Sequence, residues 1–154
     1  MWDISIVEPI VTLKIELKPG ERIILGDCLI TNANQRARFF VEGAIPILRE
    51  EDVLTPAQAD TPAKRIYLVV QLMYMSKDPR IHHEIYFALV RDVLDAAPSA
   101  WPFIASINNH ILTDEMYKAL EATKKLIAYE QELVAHAKRR ASLQCSGETD
   151  RKSA

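Results

Sequence analysis

Residues 13–54, LKIELKPGERIILGDCLITNANQRARFFVEGAIPILREEDVL, contain the pattern from which the architecture of the chain follows. Leu13, Ile15 and Leu17 alternate with charged residues, which is typical of a strand with one buried face. Pro19-Gly20 then favours a type II turn, because proline presets the φ of the second turn position and glycine accepts the positive φ of the third. Further short apolar runs lie at 22–25, 28–31, 36–42 and 45–48. The segment predicts about five strands in a small antiparallel sheet or barrel.

Helical signals begin after residues 55–62, TPAQADTP. Asp60-Thr61-Pro62 predicts a helix start, because threonine is a favoured N-cap and proline is tolerated in the first helical turn. Apolar residues at helical spacing then predict a bundle of about four helices, the last of which is expected to run from an N-cap at Thr113 to about Ala141. Strands followed by helices predict an α+β fold in which the two parts are segregated.

Three regions follow from this order: a β module at 1–54, a helical region at 55–141, and a polar tail at 142–154 that we expect to be disordered. Within the first region, Ile4, Ile6 and Val7 favour either an additional edge strand or a loosely held leader.

The composition favours a cytoplasmic protein that does not associate with membranes. The 154 residues carry a formal net charge of −2, and no apolar run approaches the ~18–20 residues that a spanning helix needs. The start, Met1-Trp2-Asp3, lacks the basic region of a signal peptide. Two cysteines are too few for a disulfide scaffold, and Cys28, between apolar neighbours, is interpreted as a buried residue.

The residues that could support catalysis favour neither an enzyme nor a metal or other cofactor. His82 and His83 are adjacent, whereas two ligands on one helix face are three or four positions apart. His110 lacks a sequence pattern for a nucleophile and an orienting acid, so Asn108-Asn109-His110 is interpreted as a structural cap. Trp101 is interpreted as a core residue. Neither a Gly-rich phosphate loop nor a Cys-x-x-Cys motif occurs.

Segments dispersed along the chain show a specific resemblance. They are 17–27 (LKPGERIILGD), 30–32 (ITN), 35–38 (QRAR), 46–50 (PILRE), 54–56 (LTP), 60–67 (DTPAKRIY), 70–74 (VQLMY), 96–99 (AAPS), 107–112 (INNHIL) and 117–120 (YKAL). Across residues 13–136 the chain resembles the FlbT family of flagellum biosynthesis regulators. The resemblance implies post-transcriptional control of flagellin: binding to the 5′ untranslated leader of flagellin mRNA, which lowers translation or message lifetime and in some members is activating.

A second resemblance covers only the first 54 residues. Gly20-Glu21, Gly26-Asp27 and Arg49-Glu50-Glu51 are similar to the carbon-storage regulator family of small RNA-binding dimers, in which the first and last strands contact RNA. It implies contacts from Ile15, Lys18 and Arg49. Leu17 and Pro19 depart from that family's pattern.

The basic residues of the strands complete the candidate RNA-binding set. Arg36 and Arg38 are two positions apart and therefore lie on the same side of their strand. Residues 1–55 nevertheless hold six basic and nine acidic residues, a net charge of −3, so any basic surface has to be local. The set comprises Ile15, Lys18, Arg22, Arg36, Arg38 and Arg49.

Two functions remain open at this point. One is a regulator that binds the flagellin mRNA leader, and the other is an adaptor that binds flagellin or a flagellar co-regulator and affects RNA indirectly. A continuous basic strip beside Lys18 and Arg49 would favour the first, and an apolar groove between helices would favour the second. The open sheet edges would be covered either by pairing in a homodimer or by the helices.

Overall fold

The computed structural model describes residues 12–147, and within them the chain forms five strands followed by four α-helices. The strands are β1 (Thr12–Leu17), β2 (Arg22–Leu25), β3 (Cys28–Thr31), β4 (Ala37–Glu42) and β5 (Ile47–Arg49). The helices are α1 (Pro62–Met75), α2 (His83–Ala96), α3 (Trp101–Leu112) and α4 (Met116–Gly147). The α+β prediction is confirmed. The expected strand or leader at Ile4, Ile6 and Val7 lies outside the described residues.

The chain divides between Val53 and Leu54 into a β unit and a helical unit. In the β unit, β1 pairs with β4, and a second antiparallel sheet has the order β3-β2-β5. The described strands do not close into a barrel. Ile15, Leu17 and Ile23 form the core, which brings β1 of one sheet against β2 of the other.

The expected type II turn is present at Lys18–Glu21. Gly20 has a φ of +74°, and the Glu21 N–H donates to the Lys18 carbonyl at 3.1 Å. The Asn32 amide also donates to the Lys18 carbonyl at 2.8 Å and to that of Gln35 at 2.8 Å, so it joins the turn to the loop after β3.

Helix α1 begins as the sequence predicts. The Thr61 hydroxyl accepts from the Lys64 N–H at 3.3 Å, and Pro62 occupies the first turn. The Ala63 N–H donates to the Glu130 carboxylate of α4 at 2.7 Å, which places a negative charge at the positive end of the helix dipole. The nearly buried Gln71 amide forms two hydrogen bonds with the main chain of Leu54.

The junction between α3 and α4 differs from the prediction. Thr113 caps the C-terminus of α3 rather than the N-terminus of α4, because its hydroxyl donates to the Asn109 carbonyl at 3.0 Å. The N–H groups of Asp114 and Glu115 donate to the Ile111 and His110 carbonyls, which is the Schellman arrangement, with Asp114 at a φ of +59°.

Helix α4 continues to Gly147, beyond the expected end near Ala141, so residues 142–147 of the expected tail are helical. The rest of that tail, 148–154, lies outside the described residues. None of the described helices is both long and apolar enough to cross a membrane.

Two expected core residues are exposed, so those interpretations are wrong. Trp101 is 56% exposed at the start of α3, where the neighbouring Ala100 is buried instead. Cys28 is exposed because β3 is an edge strand whose four residues all face solvent.

Candidate nucleic-acid interface

The six candidate residues all lie in the β unit, but one of them is not on its surface. The Ile15 side chain is 3% exposed and packs in the core, so only its main chain could contact a ligand. Arg49 is half-buried, and Lys18, Arg22, Arg36 and Arg38 are exposed. The five basic residues fall into two groups according to the glutamate carboxylates beside them, and Arg49 links the groups because it also donates to the Glu16 carbonyl at 3.3 Å.

Glu21 organises the first group. Its carboxylate accepts from the Lys18 main-chain N–H at 2.8 Å and from the Arg49 guanidinium at 3.0 Å. Lys18 directly follows β1 and Arg49 ends β5, so Glu21 joins the end of the first strand to the last strand. The Lys18 N–H, and after it the Arg49 guanidinium, lower the pKa of Glu21. Glu21 is therefore ionised at neutral pH and offsets the charge of Arg49.

A second ion pair is formed by the next residue along the chain from each member of the first pair: Arg22, at the start of β2, and Glu50, directly after β5. Arg22 donates from Nε to the Glu50 carboxylate at 2.9 Å, and its Nη2 contacts the same oxygen. This contact lowers the pKa of Glu50 and raises that of Arg22. Acidic and basic residues therefore alternate beside Lys18 and Arg49, and the continuous basic strip that would favour RNA binding is not present there.

Glu16 organises the second group, on the outer face of the β1–β4 sheet. Arg36 and Arg38 contact the two oxygens of its carboxylate at 3.2 and 3.4 Å. Their side chains remain 67% and 60% exposed. One carboxylate thus faces two guanidinium groups, and the group keeps a net positive charge.

The same outer face carries two residues that the sequence interpretation missed. Lys14 and Phe40 lie opposite each other in the β1–β4 register, beside Glu16 and Arg38. Phe40 is 64% exposed, whereas the adjacent Phe39 packs against the core. The ammonium groups of Lys14 and Lys18 form no ion pair with any described residue. Phe40 could be recognised only from its position opposite Lys14, and that position requires the pairing of β1 with β4 to be known.

The helical unit contains the other predicted kind of surface. An apolar groove of about 220 Å³ lies between the start of α1, the end of α2 and the middle of α4. Its lining includes Val93, Ala97, Leu126 and Leu133. An apolar groove between helices is the feature expected of an adaptor, so this groove favours the adaptor function.

Of the predicted cap Asn108-Asn109-His110, the Asn109 and His110 carbonyls accept from Thr113 and Glu115 at the end of α3, whereas the Asn108 side chain accepts from the Tyr86 hydroxyl of α2. The His110 Nδ1 lies 3.1 Å from the Glu115 carboxylate, which Thr113 and Lys118 also contact. Lys118 first, and then His110, lower the pKa of Glu115 to about 2. Among the described residues, no group of three His, Cys, Asp or Glu side chains is placed to bind a metal ion.

Comparison with known proteins places the chain in a family. The family model described as "Flagellar protein FlbT" matches residues 13–134. The chain belongs to the FlbT family. The FlbT match covers both the strands of the β unit and most of the helical unit, so both candidate surfaces lie within it.

Several relatives share most of the chain. It is 58% identical over 122 residues to "Probable flagellum biosynthesis repressor protein FlbT 1" of Bradyrhizobium diazoefficiens, covering 79% of this chain and 84% of the relative. It is 44% identical over 123 residues to "Probable flagellum biosynthesis repressor protein FlbT" of Rhodopseudomonas palustris, covering 80% and 98%. It is 32% identical over 127 residues to "Flagellum biosynthesis repressor protein FlbT" of Caulobacter vibrioides, covering 80% and 90%. No solved structure matches the chain.

Proposed function

We propose that this protein is a non-enzymatic, cytoplasmic regulator of flagellum synthesis that binds the 5′ untranslated leader of flagellin mRNA and lowers its translation or stability. Membership of the FlbT family and the repressor names of its relatives support the regulatory role. RNA as the ligand is supported by the outer face of the β1–β4 sheet, not by the surface beside Lys18 and Arg49, where acidic and basic residues alternate.

The observation that carries the RNA proposal is the pair of guanidinium groups around Glu16. Exposed single-contact ion pairs contribute ~0–1 kcal/mol, so a phosphate can replace the Glu16 carboxylate at Arg36 or Arg38 at little cost. An arginine can form two parallel hydrogen bonds with a phosphate, whereas Arg36 and Arg38 each form only one with the Glu16 carboxylate that they share. Lys14 and Lys18 add two ammonium groups on the same unit.

The experiment is a titration of labelled leader RNA with the full chain at several salt concentrations. Each phosphate contact with single-stranded RNA contributes about 0.7 to the slope of log affinity against log salt. The double variant Arg36→Gln/Arg38→Gln is expected to weaken binding and reduce that slope by about 1.4. Lys77→Gln/Lys125→Gln removes two exposed charges from the helical unit and is expected to leave affinity and slope unchanged. A wild-type protein that does not bind the leader contradicts the proposal.

The apolar groove supports a second candidate function, an adaptor that binds flagellin or a flagellar co-regulator. Val134 lines the groove and is 48% exposed, so Val134→Asp is expected to block binding without unfolding α4. Leu143→Asp is the matched control, because Leu143 is 73% exposed on the same helix and does not line the groove. Calorimetric titration with purified flagellin tests this candidate, and binding that Val134→Asp leaves intact contradicts it.

We also propose that two copies of the chain associate through a strand edge. β3 is an edge strand with all four residues exposed, among them Leu29 at 60%. Exposed apolar edges promote pairing with another chain. Sedimentation is expected to show a dimer that Leu29→Lys weakens, and a wild-type monomer at all concentrations contradicts this proposal.

A further inference from the structure

Phe40 has an unusual position on the outer face of the β1–β4 sheet. Strand alternation turns Phe39 towards the core and Phe40 outwards, where 64% of its surface remains exposed. A phenylalanine left in solvent loses the favourable free energy that burial of its ring would provide. No described residue forms an aromatic pair with the Phe40 ring. The ring is therefore available to a ligand.

Cations border this ring on two sides. Lys14 lies directly opposite Phe40 in the register, which places their Cβ atoms about 5 Å apart. Arg38 is two positions along β4 on the same face, about 7 Å away along the strand. Arg36 directly precedes β4, and its guanidinium contacts the same Glu16 carboxylate as Arg38.

The neighbours of Phe40 indicate the chemistry of the ligand. An apolar protein partner would need a continuous apolar patch, but the outer-face neighbours of Phe40 are all polar or charged: Thr12, Lys14, Glu16, Arg38 and Glu42. An exposed aromatic ring flanked by cations is the arrangement with which proteins bind single-stranded nucleic acid, because bases stack on the ring and cations hold the flanking phosphates.

We infer that Phe40 stacks on an unpaired base of RNA, while Lys14 and Arg38 hold the phosphates on either side of that base. This inference rests on the proposed function and names the contact that binds the leader. It predicts a preference for unpaired over double-stranded RNA, since a paired and stacked base cannot reach the ring.

The test compares Phe40→Leu and Phe40→Tyr with the wild type, in anisotropy titrations of an unstructured segment of the leader. Phe40→Leu keeps an apolar side chain but removes the π face, and it is expected to weaken binding about 5- to 100-fold. Phe40→Tyr is expected to bind like the wild type. Phe40→Leu removes no charge, so the salt slope is expected to stay constant, whereas Lys14→Gln is expected to lower it by about 0.7. Ile45→Ala truncates another exposed apolar side chain of the β unit and serves as the control.

Circular dichroism of each variant shows whether the fold is kept, and photo-crosslinking of wild-type protein to the same RNA gives a readout that needs no variant. A crosslinked peptide that contains Phe40 supports the inference. If Phe40→Leu binds the RNA as tightly as the wild type does, the stacking contact is overturned and the proposed function still stands. A wild-type protein that binds no leader RNA overturns both.

Discussion

Replacing Gln71 by methionine tests how the first residue of the helical unit is held. The Gln71 amide accepts from the Leu54 N–H at 2.8 Å and donates to the Leu54 carbonyl at 3.0 Å, and its side chain is 9% exposed. Methionine has a similar length and removes both hydrogen bonds, which leaves the two main-chain groups of Leu54 without these partners. Each such group costs ~1–3 kcal/mol when it is buried.

Leu54 is only half-buried, so water can reach part of its main chain, and we expect a total loss of about 2 kcal/mol in the free energy of unfolding of the helical unit. For a unit of this size, the loss lowers the melting temperature by roughly 10 °C. Thermal unfolding followed by circular dichroism at a helical wavelength measures it, and hydrogen exchange at the Leu54 amide should become faster.

The neighbouring variant Leu72→Gln is the control for this experiment, since Leu72 is 44% exposed on the same helix. It is expected to change stability by no more than ~0.5 kcal/mol. The role of Gln71 would be refuted if Gln71→Met melted at the same temperature as the wild type and its Leu54 amide exchanged hydrogen no faster.

Two further predictions concern the turn before β2 and the cap after α3. Gly20→Ala is expected to destabilise the β unit by about 1–2 kcal/mol in urea unfolding. The added methyl group would meet no neighbouring atom, but alanine is strained at the φ of +74° that this turn requires. An unchanged unfolding midpoint would contradict the turn assignment. Lys118→Met is expected to raise the pKa of Glu115 from about 2 towards its ordinary value of 4.5 in a carboxyl NMR titration, since Lys118 is the main cause of the depression. Because the pKa is lowered in the folded state, the stabilisation from ionised Glu115 is fully present above pH 4.5 and is lost as the pH falls towards 2. A Glu115 pKa that Lys118→Met leaves unchanged would contradict this origin.

Local patterns were sufficient for most of the fold. The alternation in β1, the Pro19-Gly20 turn and the Thr61 cap each depend on residues within a few positions of one another. The structure has the turn and the cap, and β1 buries Ile15 and Leu17, whereas Leu13 at the start of the strand is 47% exposed. Thr113 shows the limit of such signals. The same residue type caps either helix end, and the left-handed residue that completes the cap is Asp114 rather than the usual glycine.

The candidate surface depended on pairings that local patterns do not contain. Alternation says that Phe39 and Phe40 face opposite sides, but only the register with β1 shows which side is the core. The glutamate partners of Arg22 and Arg49 lie 28 positions away in the chain, so their partial neutralisation could not be predicted from the sequence. Phe40 was missed for the same reason.

The most direct test of the RNA proposal is photo-crosslinking of the purified full chain to flagellin leader RNA, followed by mapping of the crosslinked peptides. The proposal predicts crosslinks within residues 14–49, concentrated on β1 and β4, that excess unlabelled leader removes. Crosslinks confined to α2–α4, or none at all, would contradict the claim that the β unit binds the message.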